Sequence, residues 1–62
     1  MKNATATHNI AARTLAFFDL DCQDAAYAAR RSGLDDAANL LVKADSDKDL
    51  FLGLVVLSAE LG

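Results

Sequence analysis

Cysteine and histidine each occur once in this sequence, as Cys22 and His8. A single cysteine excludes a disulfide within the chain, and small domains without disulfides usually gain stability from a metal or a partner subunit. Zinc sites take several cysteine or histidine ligands, which this chain does not have. The lone thiol is typical of a reducing compartment, so we expect a cytoplasmic protein without a metal or other cofactor.

Proline is absent, and glycine occurs only three times, at Gly33, Gly53 and Gly62. The sequence therefore has no linker rich in these residues and no glycine-rich loop of the kind that binds phosphates. No repeat or low-complexity tract divides the chain. Because 62 residues are too few for two cores, we predict a single α-helical domain over residues 1–62.

Basic residues and long apolar runs are also scarce. Six Lys and Arg residues stand against nine Asp and Glu, giving a net charge of −3, whereas nucleic-acid-binding proteins usually carry a basic patch. The longest apolar stretch, residues 50–59, is about half the length of a membrane span. No apolar signal-peptide segment is evident. We therefore expect neither a membrane nor a nucleic acid as the partner.

Apolar residues make up 53% of the chain, and thirteen of them are alanines, which predicts closely packed helices. One apolar stripe recurs mostly at intervals of three and four residues, the period of a helix. It comprises Ala4, Ala11, Leu15, Phe18, Cys22, Ala25 and Ala29. This stripe predicts one long first helix that ends at Gly33, because glycine favours the left-handed conformation just past a helix end. A break capped by Asp21 is the alternative.

A second apolar stripe lies on another face of the same segment and comprises Ile10, Phe17, Leu20 and Tyr27. A helix with two apolar faces needs two neighbours, and we expect these to be the chain's own second half and a second subunit. After Gly33 the pattern predicts one or two further helices, and it leaves open whether residues 45–49 interrupt them. The predicted fold class is all-α: a small helical hairpin or three-helix unit that is completed by oligomerisation.

Alternating aspartates at Asp45, Asp47 and Asp49 resemble the start of a calcium-binding loop. An EF-hand loop beginning at Asp45 requires glycine at its sixth position and glutamate at its twelfth. Leu50 and Val56 occupy those positions. Aspartate also favours helix starts, and the interval from Ser46 to Asp49 matches a capping box. We therefore predict helix capping rather than calcium binding.

The residues available for catalysis are few, and we expect no enzymatic activity. His8 and Cys22 are fourteen residues apart, which on one helix corresponds to about 21 Å, too far for a catalytic pair. Two copies crossing antiparallel at Leu15 would bring His8 of one copy near Cys22 of the other. A buried structural cysteine is the commoner situation.

Residues 25–44 can also be aligned with a helix-turn-helix, which makes a DNA-binding regulator the alternative function. Ala29 provides the small residue that the first helix of such a motif needs, and Gly33 falls at the turn. However, the recognition helix would then begin with Asp35 and Asp36. Two carboxylates at that end would be repelled by DNA phosphates.

The C-terminal segment, residues 48–62, is apolar nearly all round; a strand is the alternative to a helix there. A helix that is hydrophobic on every side is usually buried by neighbouring elements on every side. A chain this short does not have enough other residues to bury it. We therefore predict a small homo-oligomeric adaptor, inhibitor or regulatory protein that uses this segment as its interface. A second copy of the chain is the favoured partner, and another protein is the alternative. The predicted interface residues are Leu15, Phe18, Cys22, Leu50, Phe51, Leu54, Val55 and Leu57.

Overall fold

A computed structural model describes residues 4–62, with the exception of the Ala4 side chain. Over these residues the chain forms four helices, α1 (Ala4–Phe18), α2 (Cys22–Arg31), α3 (Asp35–Ser46) and α4 (Lys48–Leu61), and no strand. The all-α fold class is therefore confirmed, with four helices in these residues where a hairpin or three-helix unit was predicted. The strand alternative for the C-terminal segment is wrong.

The predicted long first helix is wrong, and the alternative of a break capped by Asp21 is confirmed, because the chain breaks between α1 and α2. Asp19 adopts a left-handed conformation, with φ of 50°, and ends α1. Asp21 then caps α2: its side chain accepts a hydrogen bond of 2.9 Å from the backbone N–H of Asp24. Aspartate tolerates the left-handed region better than most residues and is a favoured N-cap. The apolar stripe continues across the break because both helices turn that side towards the core.

The end of α2 confirms the predicted role of Gly33. Gly33 has φ of +79°, and the backbone N–H of Leu34 donates to the carbonyl of Ala29 at 2.9 Å. The N–H of Gly33 donates to the carbonyl of Arg30 at 3.1 Å. These two bonds form a Schellman motif, in which a left-handed residue satisfies the last carbonyls of a helix.

A single residue, Asp47, separates α3 from α4. Its backbone is extended, with φ of −119° and ψ of 102°, and its side chain caps α4 by accepting from the N–H of Leu50. The predicted capping box is therefore wrong in detail. Ser46 belongs to α3 and donates its hydroxyl to the carbonyl of Lys43 at 3.0 Å. Aspartate one residue later supplies the acceptor oxygen that the helix start requires.

The core lies where α2 packs against α3 and α1 packs against α4. Its largest fully buried side chains are Leu41, Leu54 and Cys22. Most other core residues are alanines: Ala11, Ala12, Ala25, Ala26, Ala29, Ala37, Ala38 and Ala44. Small side chains allow the helices to approach closely, but each contributes little buried apolar area. The predicted stripe is thus buried from Ala11 onward except at Phe18, and the Ala4 side chain lies outside the described residues.

Two side-chain hydrogen bonds join α2 to α3 at the surface. The amide of Gln23 donates to the carboxylate of Asp45 at 2.8 Å. The guanidinium of Arg30 donates to the side-chain oxygen of Asn39 at 3.3 Å. Both bonds are exposed, so their main effect is to fix the register of the helix pair rather than to add much stability.

Candidate interaction surface

Helix α4 presents an apolar side to solvent. Of residues 48–61, Leu54 alone is buried, and Leu50 and Leu57 pack partly against the core. On the opposite side, Leu52 is 49% exposed and Val56 is 59% exposed. We define the outer row as the solvent-facing residues Leu52, Val55, Val56 and Ala59.

The geometry of a helix explains why these four residues share one side. Successive residues turn by about 100°, so positions three and four apart lie on the same side. The outer row follows that spacing, from Leu52 to Val55 or Val56 and then to Ala59. The charged residues of α4 are confined to its two ends, as Lys48, Asp49 and Glu60. The outer row is therefore an uninterrupted apolar strip about two turns long.

The predicted interface residues fall into three groups in the structure. Leu15, Cys22 and Leu54 belong to the core of the chain and are not available to a partner. Leu50 and Leu57 lie at the edge of the core and are partly covered. Phe18, Phe51 and Val55 are exposed, at 40%, 37% and 38%. The structure thus leaves these last three as candidates, of which Val55 belongs to the outer row.

Sequence reasoning missed Leu52, Val56 and Ala59 as surface residues. Their spacing is visible in the sequence, but each of the other sides of α4 has an equally apolar stripe. The burial of Leu54 determines how α4 is rotated about its axis. The side that carries Leu54 faces the core, and the outer row on the opposite side faces solvent. That contact is tertiary, and local pattern alone does not reveal it.

A second apolar area, the aromatic groove, lies between α1 and the turn that follows α2. We define it by Ile10, Phe17, Phe18 and Leu34, which line a cavity of about 420 Å³. The rings of Phe17 and Phe18 meet edge to face, with centroids 4.9 Å apart. Phe17 is 81% exposed. The predicted second stripe, which includes Ile10 and Phe17, is therefore left uncovered within one chain.

His8 lies at a different site, in a cleft of about 450 Å³ between α1 and α4. Gly53, Asp49 and Glu60 line the same cleft. Within residues 4–62 no set of three or more His, Cys, Asp or Glu side chains is placed to hold a metal ion.

Cys22 is buried at the start of α2 and is 1% exposed. Burial raises the pKa of this thiol above its ordinary value of 9.0, and the negative charges of Asp45 and Asp21 raise it further. A reactive cysteine needs the opposite environment, one that lowers the pKa and exposes the sulfur. The hypothesis that Cys22 pairs with His8 of a second copy is therefore wrong, because the long helix on which it depended is broken and the sulfur is inside the core.

Helices α2 and α3 contain the segment that resembles a helix-turn-helix. Asp35 and Asp36 lie in the first turn of α3, at the end that would approach DNA in such a motif. Arg30 is hydrogen-bonded to Asn39, and the guanidinium of Arg31 lies 5.8 Å from the centroid of the Tyr27 ring. The two arginines thus contact neighbouring side chains rather than forming an extended basic patch.

Comparison with protein-family models, with characterised proteins and with solved structures gives no match for this chain. In the described part of the chain, none of the helices combines the length and the apolar character needed to cross a membrane.

Proposed function

We propose that this protein is a small protein–protein interaction module, and that the outer row of α4 is its interface. The exposure of the outer row is the observation that carries the proposal. Contiguous apolar patches on the surface of small proteins usually mark interaction sites. Charged residues are depleted at the centres of such interfaces, and residues 50–59 contain none.

The make-up of the core supports the same proposal. A chain of this length buries a smaller fraction of its surface on folding than a larger domain does, and its stability is correspondingly marginal. Here the buried residues are mainly alanines, each of which contributes less than a larger apolar side chain. Covering the outer row with a partner would supply apolar burial that one chain does not provide.

An adaptor, inhibitor or regulatory role in the cytoplasm fits these features better than catalysis. The one thiol is buried with a raised pKa, and a lone free cysteine is typical of a reducing compartment. We propose binding, rather than chemistry, as the activity of the molecule.

Site-specific photo-crosslinking in the native host tests this proposal. A photoreactive amino acid is placed at Leu52, in the outer row, and in a control chain at Val42, which is 50% exposed on α3 outside that row. We expect crosslinked adducts from position 52, whether with a second copy or with another protein, and few from position 42. Adding Val56→Lys to the position-52 chain should remove the adducts, because a buried lysine without a partner is costly.

The same experiment can overturn the proposal. Circular dichroism should show that the Val56→Lys chain keeps its helices, since that side chain is largely in solvent. The absence of adducts at position 52, equal adducts at both positions, or adducts that survive Val56→Lys in a folded chain would each show that the outer row is not an interface.

A further inference from the structure

We infer that the outer row binds the outer row of a second copy, with the two α4 helices antiparallel and related by a two-fold axis between Val55 and Val56. This inference rests on the proposed function and names its partner. It follows from the distribution of side-chain size and charge along one side of α4, as the next paragraphs argue.

Side-chain size along the outer row favours the antiparallel arrangement. The row has a large residue, Leu52, near one end and a small one, Ala59, near the other, and Val55 with Val56 lies midway. Antiparallel pairing about that midpoint places Leu52 of each copy opposite Ala59 of the other. Large side chains then meet small ones, which lets the two helices interdigitate. Parallel pairing would instead set Leu52 against Leu52 and leave Ala59 facing Ala59.

Charge at the ends of the row favours the same orientation. Lys48 is exposed and precedes Leu52 by four residues, so it continues the row at the N-terminal end of α4. The last turn of α4 contains Glu60 and no basic residue. The carbonyl groups at a helix C-terminus also carry partial negative charge and attract cations. Antiparallel pairing brings each Lys48 to that end of the other copy, whereas parallel pairing brings the two Lys48 residues together.

The outer row of one copy is thus complementary to the outer row of a second copy. An interface for an unrelated protein would not require this self-complementarity. Two-fold pairing uses the same patch on both subunits, so each residue must suit its own counterpart. The outer row satisfies this requirement in side-chain size and, at Lys48, in charge. The aromatic groove does not have this symmetry, because it is concave and has Arg13 on one side.

Disulfide trapping in the purified full-length chain distinguishes the two orientations. Sedimentation over a dilution series first establishes whether a dimer forms. Leu52→Cys and Ala59→Cys chains, distinguishable by mass, are then oxidised separately and after mixing. In the antiparallel dimer the two positions 52 are about 10 Å apart along the helix axis, beyond the reach of a disulfide.

We expect the mixed sample to give mainly the 52–59 disulfide, and each variant alone to give little. Wild type should give none, because Cys22 is buried. Disulfides within each single variant, without preference for the mixed pair, would overturn the antiparallel geometry. A chain that stays monomeric at all concentrations would overturn the choice of partner. In that case, photo-crosslinking of position 52 to another protein would still support the proposed function as an interaction module.

Lys48→Glu provides a second test that does not depend on cysteines. Lys48 is the first residue of its own α4, where a cation opposes the helix dipole and an anion favours it. The substitution should therefore raise the melting temperature of dilute monomer while weakening the dimer roughly fivefold at low salt. Parallel pairing predicts a different result: two glutamates would replace two lysines with little change in affinity.

Discussion

Individual aspartates have a mainly structural role in this molecule. Asp21 and Asp47 each accept a hydrogen bond from the backbone N–H three residues later, and Asp19 supplies the left-handed residue at the end of α1. Such side chains satisfy backbone groups that a helix leaves without partners. The sequence shows that the aspartates cluster, but which one caps each helix depends on where the backbone turns.

Replacing Asp47 should measure the contribution of a cap. Asp47→Ala removes the acceptor of the 3.1 Å bond from Leu50, and we expect a loss of about 1 kcal/mol in the free energy of unfolding. Asp47→Asn should restore most of it. Urea unfolding at one fixed protein concentration measures both. Ser46→Ala is the matched control, expected to change stability by less than half as much, and an equal loss would show that Ser46 shares the cap.

The thiol of Cys22 should make stability depend on alkaline pH. Burial and the nearby Asp45 and Asp21 raise the folded pKa above 9.0, so the unfolded chain releases the thiol proton first. The stabilisation is fully present below pH 9 and is lost as the pH rises through the folded pKa. We therefore expect the unfolding free energy of wild type to fall above pH 9 relative to that of Cys22→Ala. Parallel curves for the two proteins between pH 8 and pH 11 would contradict this expectation.

At the scale of the helices, the predictable features are those that local backbone conformation determines. Gly33 could be predicted as a helix end because its left-handed conformation strongly favours glycine. The break between α1 and α2 was predicted only as an alternative, because the apolar stripe runs through Phe18 and Cys22 without a change of period. The outer row could not be predicted for a similar reason. All sides of α4 are apolar, and only its packing against α1 and α3 determines which side faces the core.

Two glycines should respond to alanine in opposite directions. Neither Gly33 nor Gly53 has another atom within 4 Å of an added Cβ, so the substitutions test backbone conformation without steric clash. Gly33→Ala should cost about 1 kcal/mol because φ is +79° and L-residues disfavour that region. Gly53→Ala should gain roughly 0.5–1 kcal/mol, since Gly53 lies inside α4.

Chemical denaturation of the two variants and of wild type measures whether the free energy of unfolding falls or rises as expected. A loss of stability in Gly53→Ala would mean that the cleft between α1 and α4 closes further than the structure shows. An unchanged Gly33→Ala would mean that the turn after α2 can be formed in another way.

For the whole molecule, stability should depend on protein concentration. A partner that binds only the folded state stabilises it by mass action, so the melting temperature of wild type should rise between about 1 µM and 100 µM. Val56→Lys should remove that dependence while leaving the dilute protein folded. Val42→Lys, at a comparably exposed position on α3, should behave as wild type does. Differential scanning fluorimetry of the three proteins provides the comparison; a wild-type melting temperature that does not vary would contradict it.

Asp47 also determines which topologies the chain can adopt. It is the sole residue between α3 and α4, and its extended backbone is what turns the chain there. A change in its two torsion angles to helical values would fuse α3 and α4 into one rod and carry α4 away from α1. The cleft vacated beside α1 could then accept α4 of another molecule, which is domain swapping through a hinge of minimal length. The cap at Asp47 opposes that rearrangement, because Asp47 would give up its hydrogen bond from the N–H of Leu50 on becoming helical.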